Sequence, residues 1–217
     1  KRGIAQIFKF EARTEIENID LLFSNVDDPQ QTMASIIDAI LISRETEGSD
    51  IKTDTWDGLR TSVKSQTNSD TRTGDRGIVI QSWRRFHRFL NLQLNASKSF
   101  VDGINPSNHE CRLADELMGI EPNDIFVVDV AKESEAMQAF VFGHVMREVM
   151  KLRNGEYDGT RGSAKPIPDR IVIVIDEMNK YCSKDSPKDS PILKQVLDIT
   201  ERGRSLGVVL FGAEEFR

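Results

Sequence analysis

Five consecutive β-branched apolar residues, Ile171-Val172-Ile173-Val174-Ile175, run between Pro168 and the acidic pair Asp176-Glu177. A run of this kind, apolar without alternation, predicts a central strand of a parallel sheet buried on both faces. In open α/β sheets ligands gather at the C-terminal edge of the strands, so Asp176 and Glu177 stand where chemistry usually happens. In a phosphate-handling enzyme the first carboxylate holds Mg²⁺, directly or through water, and the second orients or deprotonates the attacking water. Two acids that merely end a strand account for the same run, so its neighbours must decide.

Those neighbours have α/β character. Residues 125–130 (IFVVDV) predict another buried strand, and Ser134 predicts the cap of a helix carrying Met137, Phe140, Val141, Val145 and Val149. A Gly/Pro-rich connection over residues 154–168 then delivers the chain into the acidic strand. Strand, crossover helix and strand imply a right-handed βαβ unit. Beyond Glu177, a polar loop with Pro187 and Pro191 leads to a helix bearing Ile192, Val196, Leu197 and Ile199. Thr200-Glu201-Arg202-Gly203-Arg204-Ser205-Leu206-Gly207 predicts a turn into a final strand over residues 208–213. Gly203 and Gly207 permit backbone conformations that a side chain would penalise. Arg202 and Arg204 on that turn suit fingers reaching a neighbouring subunit's nucleotide, or equally cations complementing a helix C-terminus.

The first half reads as mainly helical. Ile16, Ile19, Leu22 and Phe23 have helical spacing, and a second helix is expected to start near Asp28 with Pro29 in its first turn. A third is expected from Thr53 to Ser65, with Trp56, Leu59 and Val63 on one face. Residues 66–76 are polar and predict a loop. Trp83-Arg84-Arg85-Phe86-His87-Arg88-Phe89 is the most basic local stretch. It suits a phosphate-facing surface, but an amphipathic helix with the aromatics inward and solvated arginines outward is the favoured account. His87 and His109 have no His or Cys near them at metal spacing.

The chain has 217 residues, 38% hydrophobic and 29% charged, with a formal net charge of −6. That balance is ordinary for a globular protein and excludes a wholly basic coat, though not a local basic lining. Cys111 and Cys182 have no CxxC spacing. A reduced cytoplasmic setting is the simplest account, with one disulfide left open. No apolar run is long enough to span a bilayer, and no signal peptide is evident. Lys1 in place of an initiator Met, and a final strand with nothing after Arg217 to cover it, lead to the expectation of a longer parent protein.

The stretch from Ile171 to Glu177, with Met178-Asn179-Lys180-Tyr181, then residues 201–208 (ERGRSLGV) and a strand ending Gly212-Ala213-Glu214-Glu215, resembles the HerA-type ATPases of the HerA/FtsK branch of RecA-like motors. The resemblance is most specific from Ile125 to Arg217. It implies an α/β fold: a RecA-like, mostly parallel sheet flanked by helices over residues 121–217, with a helical insertion subdomain and entry strand over residues 1–120. It also implies ATP and Mg²⁺ as cofactors and a hexameric homo-oligomer acting on double-stranded DNA, beside a nuclease or antiphage effector. By that resemblance Asp176 is the Walker B magnesium carboxylate, Glu177 the catalytic carboxylate, and Arg202 or Arg204 the finger acting in trans. Glu215 falls where such proteins usually place a polar sensor, commonly glutamine; an acid there repels phosphate unless protonated or turned away. The P-loop pattern G-x-x-x-x-G-K-[ST] does not occur in these residues. The expectation is that it lies upstream in a longer parent. A catalytically inactive ring or scaffold subunit is the alternative, and a metal-dependent nuclease using Asp176 and Glu177 ranks third.

Overall fold

The helices expected from apolar spacing form, and several begin at a residue that caps them. The structure, a computed structural model, describes residues 5–68, 75–157, 166–182 and 186–214. It is a mixed α/β protein with short parallel strand pairs and divides into two compact units, Lys1–Arg112 and Leu113–Arg217.

In the first unit, β1 (Ile7–Phe8) and β2 (Phe10–Glu11) lead into α1 (Ala12–Glu15), a 3₁₀ helix (Ile16–Phe23), α2 (Thr32–Glu45), α3 (Trp56–Gln66) and α4 (Ile80–Ala96). The strands β3 (Phe100–Val101) and β4 (Glu110–Cys111) return to pair in parallel, β1 with β4 and β2 with β3. The helix expected from Asp28 starts four residues later. The Asp28 carboxylate accepts from the backbone amides of Thr32 and Met33 at 3.1 and 2.6 Å, satisfying first-turn donors from outside the helix. Pro29 therefore precedes α2 and is not in its first turn. Thr55 caps α3, its hydroxyl accepting from the Gly58 amide at 3.0 Å. The core is built on the Trp83, Phe86 and Leu90 face of α4. Phe23 stacks on Phe86 with ring centroids 4.7 Å apart. Trp56 donates its indole N–H to the Phe10 carbonyl at 2.8 Å, joining α3 to β2.

In the second unit, α5 (Leu113–Met118) precedes residues 125–130, and α6 (Glu135–Arg153) begins at Ser134, whose hydroxyl accepts from the Met137 amide at 3.3 Å. β5 (Ile171–Ile175) and β6 (Val208–Gly212) pair in parallel, connected through α7 (Pro191–Leu206). Two differences from the sequence reading stand out. Residues 125–130 do not enter a ladder, and Ile125 is 91% exposed. An apolar run reports a preference for burial but does not name the edge it pairs with. β5 is likewise covered on one face only. Ile171, Ile173 and Ile175 are buried, while Val172 and Val174 are exposed, the latter 74%. Val209 and Phe211, directly across the ladder from Val172 and Val174, are exposed as well, so the strand pair has a bare apolar face. Ile and Val are equally apolar, so composition cannot distinguish one covered face from two.

Candidate functional site

Parallel pairing brings the ends of β5 and β6 together at the acidic pair. The Ala213 amide donates to the Ile175 carbonyl at 2.8 Å, and the Met178 amide donates back to the Ala213 carbonyl at 3.1 Å. The turn Asp176-Glu177 is thereby held against the end of β6. Met178 packs over Gly212, where an added Cβ would lie 2.9 Å from the Met178 Cβ, so a side chain at this corner would push Met178 aside. Asp176 is exposed, and its Oδ1 accepts from the Glu177 amide at 3.0 Å.

Glu177 adopts φ +53°, the left-handed region that costs an ordinary L-residue about 1–2 kcal/mol. Such backbone strain concentrates at functional turns. Its carboxylate is ion-paired with Lys180 on the following 3₁₀ turn (Met178–Lys180). Hydrogen bonding to Glu177 in turn raises the Lys180 pKa. Tyr181 stands beside this turn, its ring 4.9 Å from that of Phe142 and its hydroxyl donating to the Gln138 side-chain carbonyl at 3.3 Å. Burial raises the Tyr181 pKa, which keeps the phenol a donor. A cavity of about 760 Å³ opens next to Asp176, between the apolar face of α6, β5 and residues 125–130.

The donor set suits a hydrated magnesium ion better than a protein-caged one. Among the described residues no group of three or more His, Cys, Asp or Glu side chains converges. Mg²⁺ at nucleotide sites takes one or two carboxylates and fills its shell with water and phosphate oxygens. An exposed Asp176 with Oδ2 outside the turn hydrogen bond fits that role.

The arginines lie in the last turns of α7, because the helix continues through Leu206 where the Arg-Gly-Arg stretch predicts a turn. Gly203 is helical, and its hydrogen admits the Val208 carbonyl, which a Cβ would meet at 2.8 Å. Gly207 ends the helix with φ +72°. Arg202 is locked to Asp198 one turn back by a bidentate pair of 2.5 and 2.7 Å. Arg204 is exposed and makes no side-chain hydrogen bond or ion pair among the described residues. Glu215 lies outside the described residues.

Sequence reasoning missed a buried polar cluster on α6. Glu148, 2% exposed, accepts from Lys151 at 3.1 Å and from the Tyr157 hydroxyl, with Nε2 of His144 3.5 Å away. The i, i+3 and i+4 spacing of Glu148 with Lys151 and His144 was the available signal. Among the described residues no helix is long and apolar enough to cross a membrane. No protein-family model matches the chain, and no curated protein matches it.

Proposed function

We propose that this chain carries the Walker B half of an ATP-driven double-stranded DNA translocase, a RecA-like motor subunit working in a hexameric ring beside a nuclease or antiphage effector. The observation that carries the reading is the juxtaposition of Asp176-Glu177 with the end of β6 through the bonds of Ala213 and Met178. A strand ending in two carboxylates, next to a parallel strand reached through a helix, is the arrangement that phosphoryl-transfer sites use to assemble charge beside a nucleotide. The sheet also has room to grow. The bonds from Ile171 to Gly207 and from Ala213 to Ile175 bracket the ladder, so by alternation the backbone groups of Val208, Leu210 and Gly212 turn to the far edge of β6.

In this reading Asp176 holds the magnesium ion, directly or through water. Bound Mg²⁺ supplies neutralisation of the charge developing on the phosphates. Glu177 orients the attacking water, for which its carboxylate must leave Lys180. Arg204, without a side-chain hydrogen bond or ion pair among the described residues, extends toward the nucleotide of the next protomer. The test is ATP hydrolysis, with and without duplex DNA, by the protein expressed from the complete parent reading frame, together with its intact mass. DNA-stimulated turnover is the expected result; a full-length product of these 217 residues without turnover would overturn it.

A second reading, a catalytically inactive ring or scaffold subunit, is favoured by the Glu177–Lys180 pair, which occupies the carboxylate that turnover requires. Lys180→Ala separates the two. It leaves a scaffold inert and raises or preserves turnover in a motor.

A further inference from the structure

Charge is distributed very unevenly along this acidic chain. Residues 58–98 contain eight Lys/Arg against two Asp/Glu, within a protein of net charge −6. Within α4 there is no acidic residue, and α3 has only Asp57. The fold lays these two helices side by side and turns their cations to one surface. Arg84 donates to the Thr67 carbonyl at the end of α3 at 3.4 Å, and Arg60 donates to Asn95 on α4 at 3.1 Å. Arg84 and Arg88 are exposed and one helical turn apart, about 6 Å along the axis. Lys64 on α3 is also exposed. Arg88 and Lys64 have no side-chain hydrogen bond or ion pair among the described residues, while Asp57 reaches only Arg60, at 3.7 Å.

His87 of α4 reports the local field. Burial, then the charges of Lys64 and Arg60, hold its imidazole below the ordinary value. Arg85 is a different case. It donates to the Asp27 carbonyl at 2.9 Å and lies 5.8 Å over the Phe89 ring, so it is committed to the fold.

We propose that the α3–α4 face, through Lys64, Arg84 and Arg88, binds the phosphate backbone of duplex DNA without reading its sequence. Cations without an ion pair among the described residues, at turn spacing and flanked by the amides of Gln81 and Asn95, are the groups that bond phosphate and sugar oxygens. Single strands are held on exposed aromatic rings, whereas here Trp83 and Phe86 are buried and Phe89 is covered by Arg85. An acidic protein partner would need an apolar centre to its interface, and this face has one exposed leucine, Leu92. The choice of duplex DNA over duplex RNA rests on the motor reading; the charge argument does not.

The experiment is fluorescence anisotropy of a labelled random-sequence DNA duplex on the full chain, without nucleotide, across a salt series. Competitors are a duplex RNA, a single strand and polyglutamate. For the Arg84→Ala/Arg88→Ala variant, with its fold checked by circular dichroism, affinity at low salt should fall about tenfold or more. The slope of log K against log salt should flatten by about 2, roughly one unit per lost phosphate contact. Lys64→Glu should weaken binding further. Duplex DNA should also raise the His87 pKa, followed by the imidazole NMR signals, because phosphate cancels the field of Lys64 and Arg60. Unchanged binding by the double variant, tighter binding of RNA, single strand or polyglutamate, or no binding by the wild type would each overturn the proposal. Since ATP is absent, failure of the motor reading shows as missing turnover and failure of this one as missing duplex binding.

Discussion

The Arg153 guanidinium donates from Nη1 to the Pro168 carbonyl at 2.6 Å and from Nε to the Leu206 carbonyl, tying the end of α6 both to the chain entering β5 and to the last turn of α7. One side chain thus sets where β5 starts and, five residues on, where Asp176 stands. Arg153→Ala should destabilise the second unit by about 1–3 kcal/mol, the range for charge-assisted hydrogen bonds to backbone. Lys at this position can replace one of the two bonds and should recover only part. Urea unfolding of both variants checks the order, and equal stabilities of wild type and Arg153→Ala would remove the clamp.

Gly207 closes the same corner. Its φ is +72°, and a Cβ there would lie 2.3 Å from the Asp169 carbonyl oxygen. Gly207→Ala combines left-handed strain with a backbone clash, so a loss of about 3 kcal/mol or more is expected in thermal or urea unfolding. Gly119→Ala provides the comparison, because a Cβ there would lie 3.3 Å from the Glu116 carbonyl, a looser approach without positive φ.

The Glu148 cluster makes stability depend on acid. Burial pushes the Glu148 carboxyl up, but hydrogen bonds from His144 and Tyr157 and the charge of Lys151 outweigh it and hold the pKa at about 2. The folded value lies below the unfolded one, so the contribution is fully present above the ordinary carboxylate range and is lost as pH falls from about 4.5 toward 2. Tyr157→Phe removes one of the bonds to the ionised form. Its acid-unfolding midpoint should therefore move to higher pH, while Glu148→Gln should flatten the stability profile across this window. A wild-type profile already flat there would contradict the assignment.

The bare face of the β5–β6 pair separates substitutions at adjacent positions. Val174→Thr, at an exposed site, should change stability by less than about 0.5 kcal/mol, whereas Ile173→Ala on the buried face should cost about 2–4 kcal/mol. Comparable costs at the two sites would mean that both faces are covered in solution.

For the motor reading the two arginines of α7 should behave differently. Arg202 is engaged by Asp198, while Arg204 has no side-chain hydrogen bond or ion pair among the described residues. In the parent protein Arg204→Ala should lose turnover, and mixing it with Asp176→Ala subunits should restore a fraction, since one interface is then built from two intact halves. Arg202→Ala should retain most activity. The reverse order, or no rescue at any mixing ratio, would reassign the finger.

Much of the fold was legible in local sequence. Ser134 caps α6, the spacing of Trp56, Leu59 and Val63 sets the buried face of a helix that starts at Trp56 rather than Thr53, and the run from Ile171 to Ile175 is a strand ending at two carboxylates. These features depend on groups a few residues apart, whose geometry is set by backbone hydrogen bonding and helical or extended periodicity. The two differences at α2 and α7 are also local, but they turn on competition. The Asp28 carboxylate could satisfy amides at more than one offset, and an Arg-Gly-Arg stretch tolerates helix once packing against Val208 requires the small residue.

What the sequence by itself determined is therefore the main helices, the Ser134 cap, the strand from Ile171 to Ile175 and the acidic pair at its end. Tertiary structure alone decided that β5 is covered on one face, that residues 125–130 stay out of the ladder, that Arg202 is paired with Asp198 while Arg204 has no ion pair among the described residues, and that Lys64 joins Arg84 and Arg88 on one surface. Each of these depends on which distant groups come into contact. The energies that decide them, burial of a strand face or pairing of a guanidinium, are the same wherever the partner lies in the chain, so no local pattern records them.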